Sequence, residues 1–154
     1  MMHPSRPRPD ARLTTRPTSG AQSSTPVPST PASSPGLKAL TLWQPWAALV
    51  AIGAKCVETR AWPCPPSSLG AWIAIHVAQG GLSASQLHRT MDCEPFRSAL
   101  AACDITAATE TQTTLPRGAL VALVHLDGCE PTERVRFRLS ARERAFGDYR
   151  PGRF

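Results

Sequence analysis

From Leu37 onward, apolar side chains recur in short runs whose spacing switches between strand-like and helix-like periods. Leu37 to Leu42 predicts an opening strand. Pro45 then stands where proline starts a helix well, with Trp46, Leu49 and Val50 following on one face. Gly53 supplies the helix stop. Cys56 to Arg60 alternates, so Cys56, Glu58 and Arg60 are expected on one strand face and Val57 and Thr59 on the other. Trp62 and the run Pro63-Cys64-Pro65-Pro66 close that element.

Ala71 to Val77 carries the clearest strand pattern. Ile73, Ile75 and Val77 point to a core, while Trp72, Ala74 and His76 face the other way, towards a possible groove. Ser83-Ala84-Ser85-Gln86 has the form of a capping box and predicts a helix start. Pro95 starts another helix, with Phe96, Ala99, Leu100 and Cys103 at helical spacing. Residues 104–114 are Thr-rich and read as a loop. Ala119 to Leu126 is almost wholly apolar, as a buried strand would be. Val135, Phe137 and Leu139 alternate with Arg134, Arg136 and Arg138, predicting a half-buried strand with an arginine face. Ser140 to Glu143 repeats the capping-box form, with Gly147 ending the helix. Short strands interrupted by short helices, without regular βαβ alternation, imply an α+β or small-barrel fold.

Composition divides the chain. Residues 1–36 hold eight prolines, twelve Ser or Thr and no Phe, Trp or Tyr, too little apolar surface to offset the entropy of ordering. They read as a disordered tail, and residues 37–154 as one domain with a single core. The net charge of +6 divides evenly between tail and domain, which suits a polyanionic partner without requiring one. No run is long and apolar enough for a membrane span. The five cysteines (Cys56, Cys64, Cys93, Cys103, Cys129) are scattered and form no zinc spacing, so reduced thiols in a cytoplasmic protein without metal or other cofactor are expected.

The candidate chemistry lies in Gly53-Ala54-Lys55-Cys56-Val57-Glu58-Thr59-Arg60, where three ionisable groups crowd against apolar neighbours. This octapeptide has the form G-x-K-x-x-E-x-R and resembles the signature of the ASCH domain, a PUA-like family. Leu40 to Ala47, Trp62-Pro63, Trp72 to His76, Leu115 to Ala122, Glu143 to Tyr149 and Pro151 to Phe154 are similar to further parts of that pattern, in order. The resemblance implies a small PUA-like β-barrel with flanking short helices. It also implies RNA or nucleotide binding in a cleft walled by the octapeptide, and hydrolase activity in some relatives. Family members continue into another aromatic strand after the final motif. A C-terminal strand is therefore expected to be missing after Phe154, leaving either a fragment or a differently closed barrel.

On this reading Trp43, Lys55, Glu58, Arg60, Trp62, His76, Tyr149 and Arg153 are the RNA-binding candidates. Lys55 would contact phosphate or serve as a general base, with Glu58 and Thr59 assisting if the protein is a hydrolase. Glu58 would also pair with Arg60, and Trp43 and Trp62 would offer stacking faces. Trp46 and His125 read instead as core residues. The amide-hydrolysing relatives carry Thr three positions after the Lys, where this chain has Glu58, and that mismatch lowers the amidohydrolase reading. A protein-interaction module using the arginine face and the tail is a third possibility.

Overall fold

The alternation over 72–77 builds the centre of the molecule. A computed structural model describes residues 36–106 and 115–154; the expected tail over 1–35 and most of the expected 104–114 loop lie outside them. Strand β2 (Trp72–Val77) is flanked by β1 (Lys38–Leu42) and β3 (Leu120–His125). β1 runs parallel to β2, in register from Lys38 opposite Ile73 to Leu42 opposite Val77. A parallel pair needs a crossover, and here the crossover holds helix α1 (Trp46–Ala51) and a 3-10 turn at Pro66–Ser68. A βαβ unit therefore opens the domain, which the sequence pattern did not suggest. β3 is antiparallel to β2, with an irregularity at Ile75/His76.

Four further helices complete the α+β fold of the described residues: α2 (Ala84–Asp92), α3 (Phe96–Ala101), α4 (Thr132–Val135) and α5 (Ala141–Ala145). The expected capping box of α2 is made in full, since Ser83 Oγ accepts from Gln86 N–H and Gln86 Oε1 accepts from Ser83 N–H. Two apolar clusters form the core. Leu42, Ala47, Ile75 and Val77 join the sheet to α1. Ala48, Leu49, Leu87, Met91, Phe96, Ala99, Leu100, Leu115 and Phe146 join α1 to α2, α3 and the residue that ends α5. Phe96 stacks edge-on against both Trp46 (5.9 Å) and Phe146 (5.1 Å). Helix α1 belongs to both clusters, Ala47 facing one and Ala48 and Leu49 the other.

Four expectations are corrected. The sheet formed by the described residues has three strands and is open, so they do not close a barrel. Residues 134–139 form no arginine-faced strand. Their start belongs to α4, whose Thr132 is buried through hydrogen bonds to the backbone of Arg150 and Arg153, and Phe137 is 72 % exposed. β3 is an edge strand rather than a buried one: Leu120 and Leu123 are exposed, and His125 meets Asp127 at the surface. Cys56 to Arg60 forms no regular element and joins no ladder; only Arg60 exchanges two backbone hydrogen bonds, with Phe154. Over 134–139 a local apolar period was outweighed by where the neighbouring backbone could hydrogen-bond. Smaller differences are that Ala74 is buried rather than lining a groove and that Cys103, beyond the end of α3, is exposed.

Leu49 is fully buried where α1 meets its neighbours, so Leu49→Ala is expected to cost about 2–5 kcal/mol. Phe137→Ala should change stability by no more than about 0.5 kcal/mol. Urea denaturation of both variants checks the pair; a large loss at Phe137 would restore the strand expected there.

Candidate functional site

Gly53 ends α1 with a φ of 72°, in the left-handed region that glycine tolerates. The turn is locked because the Leu49 carbonyl accepts from both Ala54 N–H (2.9 Å) and Lys55 N–H (3.1 Å). Lys55 consequently enters the interior, and its side chain has no solvent exposure. Its ammonium donates to the Val57 carbonyl and stands 3.5 Å from Glu58 Oε2. Burial pulls its pKa below the usual lysine value, against the opposing pull of Glu58 and Glu143.

The next residues are held from the far end of the chain. Ser140 caps α5 as expected, its Oγ accepting from Glu143 N–H. Glu143 does not complete the capping box. Its carboxylate instead accepts from Cys56 N–H (3.2 Å) and Val57 N–H (3.0 Å). Tyr149, also buried, donates its hydroxyl to the Val57 carbonyl at 3.4 Å. Gly147 lets that ring lie close, since a Cβ there would stand 2.8 Å from it. Burial, followed by Glu143 and Glu58, pushes the Tyr149 phenol well above its ordinary pKa.

Towards solvent, Glu58 Oε1 lies 3.4 Å from Arg60 Nε, joining Lys55, Glu58 and Arg60 in one chain of alternating charge. The Nε contact is ionic and lacks hydrogen-bond alignment. Arg60 Nη2 donates to the Thr41 carbonyl at 2.8 Å, which anchors the guanidinium on β1. Its carbon is 5.6 Å from the ring centre of Trp62, which is 56 % exposed. His76 reaches the same strand position from β2, with Nδ1 3.2 Å from Thr41 Oγ1.

The expected residues thus separate. Lys55, Glu58, Arg60, Trp62 and Tyr149 converge, with His76 alongside through Thr41. Trp43 is exposed and packs beside Gly81. Arg153 turns away to an ion pair with Asp148 at 2.8 Å. Thr59 has its hydroxyl oxygen engaged by Asp148 N–H at 3.3 Å. Glu143 was missed as a site residue because its capping-box position accounted for it, and nothing local in the sequence distinguishes the two uses. A depression of about 330 Å³ lies behind this turn, lined by Gly53, Ala54, Ala99, Arg142 and Glu143 among others. Glu58, Arg60 and Trp62 do not line it, so the half-buried charge pair and the concavity are on different walls.

Among the described residues no group of three or more His, Cys, Asp or Glu gathers as metal ligands would. No helix among them is long and apolar enough to cross a membrane. No family model matches the chain, and neither a curated protein nor a solved structure matches it significantly.

Two measurements test this geometry. Tyr149 is the only tyrosine, so phenolate absorbance reports it alone. Because the folded state holds its proton more tightly, stability falls as pH rises past the ordinary tyrosine value of 10.0, and phenolate should appear together with unfolding. Titration near 10 in a folded protein would show that the phenol is not enclosed. Glu143→Ala strands two backbone donors and is expected to cost about 1–3 kcal/mol, read by thermal or urea unfolding.

Proposed function

We propose that residues 37–154 bind RNA or a nucleotide, as the resemblance to ASCH domains implies, through the surface formed by Glu58, Arg60 and Trp62. The observation that carries the reading is the anchored guanidinium. Thr41 and Glu58 hold Arg60 from one side, and Trp62 offers an exposed aromatic face beside it. An arginine fixed in this way meets a phosphate oxygen with little further ordering, and a base stacks on the indole. The Glu58 carboxylate, one-quarter exposed, accepts from an exocyclic amine of the base. Lys55 is a positioning residue here: enclosed, it orients Glu58 and does not reach the ligand.

Hydrolysis of RNA or of a modified nucleoside, with Lys55 as general base, draws on the same burial, because a lowered lysine pKa is what a base requires. It fits less well. The ammonium is sealed from solvent against Val57 and Glu58, and the Thr59 hydroxyl oxygen is occupied by Asp148.

Anisotropy of labelled single-stranded RNA oligomers over a salt series tests binding. Affinity should fall with salt, and Arg60→Ala should reduce the slope of log K against log salt by about 0.7. Trp62→Ala should cost about 1–3 kcal/mol of binding. Salt-independent affinity, or an unchanged slope in Arg60→Ala, would sink the proposal. Cleavage of the oligomer that disappears in Lys55→Met would favour the hydrolase.

A further inference from the structure

Two thiols meet outside the Lys55 cluster. The Cys129 sulfur accepts a hydrogen bond from the Cys64 backbone N–H at 3.1 Å. The Cys64 sulfur is three bonds from that nitrogen, so both sulfurs surround one backbone position. Both cysteines are half-buried and reduced, whereas Cys56, Cys93 and Cys103 are exposed. Among the described residues, no hydrogen bond joins those three to another sulfur.

We propose that Cys64 and Cys129 form an oxidisable pair that closes to a disulfide with peroxide, fastening the segment that carries Trp62 to the segment that leads into α4. Backbone stiffness favours closure. Pro63, Pro65 and Pro66 surround Cys64, and Pro131 follows Cys129 closely, so neither segment has much freedom to carry its sulfur away. The surroundings also hold Cys64 as the protonated thiol. Burial, and then the hydrogen bond to Cys129, raise the Cys64 thiol above its ordinary pKa, with the nearby Lys38 ammonium opposing.

The reaction balances with one peroxide. One cysteine loses its proton, and its thiolate attacks a peroxide oxygen, forming a sulfenic acid and expelling hydroxide, which takes up that proton. The second sulfur then attacks the sulfenic sulfur. The S–S bond forms, and the sulfenic hydroxyl leaves as water with the second thiol's proton. Two thiols are oxidised by two electrons, and peroxide is reduced to two waters.

The bridge ties together parts that the chain keeps far apart. Cys64 lies two residues after Trp62, which rests on Arg60. Cys129 lies three residues before Thr132, whose N–H and hydroxyl hold the Arg153 and Arg150 carbonyls. Closing so long a loop restricts the unfolded chain and raises stability.

Peptide mapping of the full chain tests this after brief exposure to hydrogen peroxide, with free thiols alkylated and tryptic digestion performed without reductant. The expected product joins peptide 61–89 to peptide 118–134, with the mass of two hydrogens lost. Cys56, Cys93 and Cys103 should remain alkylated, and reduction should reverse the join. The oxidised protein should melt at a higher temperature than the reduced one, and Cys129→Ser should remove that difference. Bridges spread over other cysteine pairs, or sulfinic acid at Cys64 or Cys129 without a bridge, would overturn the proposal.

Discussion

Enclosing the Lys55 ammonium imposes the constraint from which the rest of this surface follows. A buried cation must be matched by nearby acceptors, or the fold loses more in desolvation than packing returns. The Val57 carbonyl and Glu58 supply that match locally. They remain in place only because Glu143 grips the Cys56 and Val57 amides and Tyr149 grips the Val57 carbonyl. Residues near 56 and near 146 are thus drawn into one polar network, with the apolar cluster of Phe96 and Phe146 beneath it. The half-buried pair of Glu58 and Arg60 is the outer end of that network.

The division of labour along the octapeptide is physical. Its first charge is sealed in, its second is shared between interior and surface, and its third is anchored on β1 beside an open tryptophan. A ligand meeting this wall would encounter the carboxylate and guanidinium already oriented. Exposed ion pairs alone contribute little to stability; their alignment matters here as preorganisation for recognition.

Much of this was legible in the sequence, for particular reasons. The strand over 72–77 and the helices capped by Ser83 and started by Pro45 follow from local rules that no neighbour contradicts. The pairing of Glu58 with Arg60 also follows from spacing. Two positions misled. Alternation from Arg134 to Leu139 imitates a strand, but Thr132 is fixed by the C-terminal backbone and the chain coils there instead. The apolar run after Ala119 suggested a buried strand, whereas no further strand among the described residues pairs with its outer edge and Leu120 and Leu123 are exposed. Glu143 illustrates a deeper limit: a capping-box glutamate and a clamp on a distant loop look alike until the fold brings the loop within reach.

Helix α1 gives the molecule a consequence beyond its site. Ala47 packs with the sheet cluster, while its neighbours Ala48 and Leu49 pack with the helical one. Neither cluster is complete without these six residues, so fraying α1 would dissolve both together. The described domain should therefore behave as one cooperative foldon. Its slowest-exchanging amides should include Ala47, Ala48 and Leu49, held by Trp43, Gln44 and Pro45, with protection that collapses only when the whole domain opens.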